Sequence, residues 1–202
     1  MFASILYIHG FNSSPASQKA RQLVAAAAQL GLEEHVCVPA LHHHPRQAMA
    51  QLEAAIVTSG KPLLVGSSLG GYYATHLAQR HGLKALLINP AVNPHRLFNG
   101  QFGPQRNTYT GEPWQLTQDH VDALVELEFA PPLAGDRIQV WLQTADETLD
   151  YRRAMVFYQG CKVDVREGGD HSYQGFAQRL PDVFRMAGVE PSRCDTLDCD
   201  AL

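Results

Sequence analysis

Residues 63–80 leave this chain few folds to choose from. Leu63-Leu64-Val65-Gly66-Ser67-Ser68-Leu69-Gly70-Gly71 reads as a buried strand ending in Gly-x-Ser-x-Gly, and a helical pattern from Tyr72 to Arg80 follows at once. Strand, sharp turn and helix in that order are the context in which the motif presents a reactive serine above a sheet. Such a turn strains Ser68 and lifts its hydroxyl, while Gly66 and Gly70, having no Cβ, let strand and helix backbones crowd together. The five-residue pattern alone is common. It gains meaning only in company with a histidine and an acid.

The rest of the chain supplies the frame. Short β-rich runs alternate with helix-length segments, which predicts a doubly wound, mostly parallel α/β sheet of about six strands covered by helices on both faces. Strands are expected over 4–8, 35–38, 62–66, 84–88, 137–143 and 162–166. Helices are expected from an N-cap at Ser14 with Pro15 at the first helical position to about Leu30, then over 46–58, from Ser68 to Gly82, over 148–158 and over 173–186. Residues 91–131, rich in proline and glycine with a helical piece near 119–128, interrupt the alternation and read as a small cap over one end of the sheet. The expected organisation is a single domain over 1–190 and a peripheral tail over 191–202.

Composition narrows the partners. A chain of 202 residues can bury one sizeable core. Its net charge of −4, with both signs interspersed, argues against nucleic acid or an anionic membrane as partner. No apolar run approaches the roughly 20 residues of a membrane span, and the first ten residues read as a strand rather than a leader. The expected compartment is the cytoplasm. Cys37 and Cys161 lie in strand-like patterns and read as buried, reduced core residues, whereas Cys194 and Cys199 lie in a polar tail at a spacing that matches no zinc pattern. His42-His43-His44 resembles a metal tract, but adjacent imidazoles do not readily converge on one ion. A solvated loop is the simplest reading and a pocket lining the alternative, so neither metal nor cofactor is expected.

In an open parallel sheet, ligands bind beyond the carboxyl ends of the strands. The segments leaving those ends carry His9-Gly10-Phe11, the Ser68 turn, Asp146 with Asp150, and Gly168-Gly169-Asp170-His171. Serine, acid and histidine thus share one edge, in the chain order of an α/β-hydrolase. Ser68 is the expected nucleophile and His171 its base, because a hydroxyl attacks an acyl carbon only when its proton is taken away. Asp146 is preferred over Asp150 as the acid. It lies closer to the strand end, and Asp150 already has a sufficient role at the start of a helix. Backbone N–H groups of Leu69 and Phe11 are the expected oxyanion donors.

The blocks over 7–15, 65–75, 89–92, 109–111, 143–151 and 168–171 together resemble the YqiA-type bacterial esterases of the α/β-hydrolase superfamily. The resemblance implies hydrolysis of short-chain acyl esters, a small-molecule substrate, no cofactor, and Ser68, Asp146 and His171 as the triad. A related branch similar in fold lacks the serine, which is present here. A thioesterase using the same triad is the nearest alternative, and a non-catalytic binding protein of the same fold is the alternative from another class.

Overall fold

Strands that are apolar at every position offer no face to water and must be covered on both sides. In the computed structural model, which describes residues 2–98, 100–133, 135 and 137–202, β1 (Ile5–Ile8), β3 (Leu63–Ser67) and β4 (Ala85–Ile88) are buried along their whole length. They are flanked by β2 (Val36–Cys37) on one side and by β7 (Ile138–Gln143) and β8 (Lys162–Arg166) on the other. The sheet runs β2-β1-β3-β4-β7-β8, with all neighbours parallel.

Side chains alternate between the faces with period two. Tyr7, Val65, Leu86 and Trp141 pack beneath α1 (Gln18–Gln29) and α7 (Leu180–Met186). Leu6, Leu64, Leu87 and Val140 pack beneath α2 (Pro45–Ser59), α3 (Leu69–His81) and α6 (Tyr151–Phe157). Full burial of one such leucine or valine contributes about 1.5–3 kcal/mol. The two-layered core therefore holds the strand ends, and the loops that leave them, in fixed positions. Among the described residues no helix is long and apolar enough to cross a membrane.

Several boundaries and three cysteines differ from expectation; α6, expected from 148, starts at Tyr151 behind its N-cap Asp150. Ser14 caps no helix. Its hydroxyl accepts from the Ala16 N–H at 3.0 Å and its carbonyl from the Ser17 N–H at 3.0 Å, so Pro15 sits in a turn and α1 starts at Gln18. α2 starts at Pro45 with His44 as its N-cap, one residue earlier than expected. The closing helix does not run from Tyr173, whose φ is 63°. A 3-10 turn, Ala177–Arg179, leads into α7, where Pro181 occupies the first turn, the one place in a helix that loses nothing by its missing N–H. Cys37 and Cys161 are only half-buried. Cys194, in α8 (Pro191–Cys194), is fully buried against the core under α1, where the Arg193 guanidinium also donates to the Leu30 carbonyl.

Residues 91–131 contain α4 (His95–Phe98), an antiparallel hairpin of β5 (Gly103–Arg106) and β6 (Pro113–Leu116), and α5 (Gln118–Glu126). The hairpin was not expected from the sequence. It is fastened to the loop after β1: Trp114 Nε1 donates to Asn12 Oδ1 at 2.8 Å, the Thr108 N–H to the Asn12 carbonyl at 2.9 Å, and Asn107 Nδ2 to the Ser13 carbonyl at 2.8 Å. The Tyr72 hydroxyl, on α3, donates to the Leu124 carbonyl of α5 at 2.8 Å.

Candidate active site

Ser68 stands between β3 and α3 with φ 56° and ψ −121°. A non-glycine residue there costs on the order of 1–3 kcal/mol and persists only where its surroundings hold it. They do so here: the Ser68 N–H donates to the Ile88 carbonyl at 3.0 Å, and its carbonyl accepts from the N–H groups of Gly71 at 2.9 Å and Ala91 at 3.0 Å. The glycines on either side are required by space. A Cβ on Gly70 would lie 2.0 Å from the Ile8 carbonyl oxygen, and one on Gly66 would lie 2.3 Å from that of Gly70. The turn therefore lies hard against the end of β1, which brings the loop after β1 beside the serine.

Ser68, Asp146 and His171 meet at this edge. His171 Nε2 lies 3.0 Å from Ser68 Oγ, and His171 Nδ1 lies 3.0 and 2.9 Å from the two Asp146 oxygens. A carboxylate can only accept, so Nδ1 carries the ring proton and Nε2 is left to accept from the serine hydroxyl. The Asp146 side chain is 2% exposed. Its Oδ1 also accepts from the N–H groups of Thr148 at 2.9 Å and Leu149 at 2.8 Å, which compensates its burial and fixes its direction. Asp150 is elsewhere: it caps α6, accepting from the Arg152 N–H at 3.1 Å.

Two residues that sequence reasoning left without a role position the histidine. Asn89 follows β4; its Nδ2 donates to the carbonyl of Asp170 at 3.0 Å and its Oδ1 accepts from the Gln143 N–H at 3.0 Å. Gln143 ends β7. Its Oε1 accepts from the N–H groups of Asp170 at 3.1 Å and Gln174 at 2.9 Å, and its Nε2 donates to the Gln174 carbonyl at 2.8 Å. Both side chains are nearly fully buried. The Glu147 carboxylate accepts from the His171 N–H at 3.0 Å. The only signal for Asn89 and Gln143 in the sequence was a polar residue ending an apolar strand.

The expected oxyanion residues border the serine from both sides. Leu69 is the first residue of α3, and the loop of Phe11 approaches so closely that a Cβ on Gly10 would lie 3.1 Å from Ser68 Cβ. Neither the Phe11 nor the Leu69 N–H has a hydrogen-bond partner among the described residues. Two hollows open from this point. One is lined by Phe11, Leu41, Leu69, Tyr73, His43 and Trp114; the other holds Ser68 and His171.

The His42–His44 tract forms a seam between the loop after β2 and the cap. The His43 ring stacks on Trp114 at 4.6 Å, and His43 Nδ1 lies 3.1 Å from His120 Nε2. His44 Nε2 meets Asp119 Oδ2 at 2.8 Å, and Arg46 bridges Asp119 and Glu126, each at 2.7 Å. Among the described residues no group of three or more histidines, cysteines or carboxylates could hold a metal ion.

Burial lowers the pKa of His120 to about 4, helped by the neighbouring charges of His44 and His43, with Asp119 opposing. Burial also lowers His43, and it lowers His9, whose Nε2 accepts from the Leu41 N–H at 3.2 Å. All three fall below the ordinary histidine value near 6.5, so on acidification the unfolded chain takes up protons first. Stability is therefore full above about pH 6.5 and is lost as the pH falls from there towards the lowered values. A melting temperature several degrees lower at about pH 5 than at about pH 7.5 is expected by differential scanning calorimetry, and the gap should narrow in His120→Gln. Equal melting temperatures would contradict the neutral seam.

Comparison with known proteins identifies the family and the fold. The family model described as an uncharacterised protein family, UPF0227, matches residues 4–188. A UPF0227 protein of Shewanella woodyi is 33% identical over 98 residues, which are 45% of this chain and 52% of that protein. One from Shewanella baltica is 32% identical over 105 residues, 48% of this chain and 56% of the other. These matches span about half the length of the curated relatives. Among solved structures, the mouse alpha/beta hydrolase domain-containing protein 10 superposes with a TM-score of 0.68 at 16% identity, over 92% of this chain and 89% of the other. Est1E from Butyrivibrio proteoclasticus gives 0.66 at 16% identity, over 100% and 89%. The architecture is the α/β-hydrolase fold.

Proposed function

The chain belongs to the UPF0227 family, the YqiA-type family that its motif blocks resemble, and from that premise we propose that it is a serine esterase acting on short-chain acyl esters. The observation that carries this reading is the hydrogen-bond chain from Ser68 Oγ through His171 to a buried Asp146, at 3.0 and 2.9 Å, on a strained strand-to-helix turn. Ser68 Oγ attacks the acyl carbonyl as His171 Nε2 takes its proton. Asp146 holds the imidazole in the tautomer this needs and stabilises the imidazolium that forms. The unpartnered N–H groups of Phe11 and Leu69 receive the negative charge that develops on the carbonyl oxygen. His171 then protonates the leaving alcohol, and water activated by the same imidazole releases the acyl group from Ser68.

The hollow that contains Phe11, Leu41, Leu69, Tyr73 and Trp114 adjoins both oxyanion donors, and these side chains offer a short acyl group apolar contact beside the polar His9, Asn12, His43 and Glu112 of the same lining. The four unpaired cysteines favour a reducing compartment such as the cytoplasm. The reading is tested with 4-nitrophenyl esters of increasing chain length. It predicts turnover that is highest for acyl groups of a few carbons, with a burst of nitrophenolate equal to the enzyme present when deacylation limits the rate. Folded protein inert towards every ester in the series would overturn it.

A further inference from the structure

The second hollow beside Ser68 is not apolar. Its lining includes Ser17, the N-cap of α1, and the first two residues of that helix, Gln18 and Lys19, together with Thr108 and Tyr109 of the cap. Lys19 carries the only ammonium or guanidinium of that lining. One of its protons is held by the Ser172 carbonyl, at 2.7 Å from Nζ, and no carboxylate oxygen lies within 4 Å of Nζ among the described residues. Asp146 and Asp170 act on it only from a greater distance. Burial lowers its pKa to about 8 against the opposing pull of those two carboxylates, so it remains cationic at neutral pH with its desolvation incompletely offset.

The start of α1 adds to this. The helix is 12 residues long, has no acidic side chain in its first turn, and its Ser17 N-cap makes no capping bond. The backbone N–H groups of Gln18 and Lys19 have no partner among the described residues. Ser17 is 8% exposed and its Oγ is unpartnered, adjoining the Tyr7 hydroxyl without hydrogen-bond geometry. Free helix N–H groups, a helix dipole and a cation at one point are the receptors an oxyanion requires. The net charge of the chain is −4, so the attraction is local to this pocket and does not come from the overall field.

We propose that the hollow between Ser68 and Lys19 binds the carboxylate or phosphate of an anionic ester, with the Lys19 ammonium, the first N–H groups of α1 and the Ser17 hydroxyl as its receptors. This rests on the esterase reading for the reaction and goes beyond it in naming the substrate class. Lys19 would be a specificity-determining residue.

The test compares kcat/KM within two isosteric pairs. 4-nitrophenyl hemisuccinate against 4-nitrophenyl 4-methylpentanoate places the charge on the acyl side, and the acetyl ester of 3-hydroxypropanoate against 3-methylbutyl acetate places it on the alcohol side. The anionic member of at least one pair is expected to be preferred. Lys19→Met should collapse that ratio by about 10- to 100-fold, the value of a charge-assisted hydrogen bond, and Lys19→Arg should restore part of it. The preference should also fade as the pH rises through about 8, where Lys19 loses its proton. No preference in either pair, or equal loss for both members in Lys19→Met, would overturn the inference while leaving the esterase reading intact. If no ester is hydrolysed, the esterase reading fails and calorimetric titration of Ser68→Ala with monomethyl succinate and with inorganic phosphate decides the site. Heat abolished by adding Lys19→Met supports it, and absence of heat overturns it.

Discussion

Replacing Ser68 by alanine is expected to lower kcat by a factor on the order of 10⁴ to 10⁶, with the fold retained. The size of the effect follows from the members of such a group acting together: without the nucleophile, neither the base nor its carboxylate has a step to perform. The fold should persist because alanine keeps the Cβ, and the bonds that hold the turn are all backbone, from Ser68 to Ile88, Gly71 and Ala91. The strain at φ 56° is unchanged by the substitution. Residual hydrolysis measured on protein of unchanged melting temperature separates loss of chemistry from loss of structure.

Asp146→Asn is expected to cost about 10⁴ in kcat. The amide has the shape of the carboxylate and can still accept from the Thr148 and Leu149 N–H groups, so the loop should keep its path. The face turned towards His171 then offers a donor where an acceptor is needed, and the imidazole is driven to the tautomer whose Nε2 carries the proton. That nitrogen can no longer take one from Ser68. Asp150→Asn provides the contrast. Asp150 caps α6 and pairs with Arg152, and asparagine caps a helix as well as aspartate does, so turnover and fold should both survive. A variant at position 150 as damaged as that at 146 would reassign the acid.

The sequence revealed those parts of the molecule in which local pattern and final environment agree. β1, β3 and β4 are apolar at nearly every position because both faces are covered, and the Gly66-x-Ser68-x-Gly70 turn is dictated by contacts within one strand, turn and helix. Asp146 and His171 could be found because each follows a strand whose end was already placed. The β5–β6 hairpin was hidden for the opposite reason: its strands are four residues long and contain Pro104 and Pro113, the inward positions of β5 are Gly103 and Gln105, and Trp114 and Leu116 give β6 only two apolar positions. Asn89, Gln143 and Lys19 were illegible because their roles exist only across distance in sequence. Asn89 reaches Asp170 from 81 positions away, and Lys19 reaches Ser172 from 153. No spacing rule connects them; only the folded sheet edge does.

The seam of His43, His44 and His120 belongs with these. Three consecutive histidines read most simply as a solvated loop, with a pocket lining as the alternative; stacking on Trp114 and pairing with Asp119 make them part of the join between loop and cap, and His42 and His43 also line the hollow beside Leu69. The same cap supplies Thr108 and Tyr109 to the Lys19 side of the site and Asn107, Glu112 and Trp114 to the other hollow. In the proposed mechanism, substrate choice is set largely by residues 91–131 and the start of α1, and the reacting groups stand on the ends of β3, β7 and β8.

The central claim is that Ser68 is an activated nucleophile. It is tested most directly by incubating the folded protein with a fluorophosphonate and locating the adduct by mass spectrometry of the intact chain and its peptides. The account predicts one stoichiometric adduct, on Ser68, absent from Ser68→Ala and strongly slowed in Asp146→Asn. An unmodified Ser68 in folded protein, or an adduct on another residue, would contradict it.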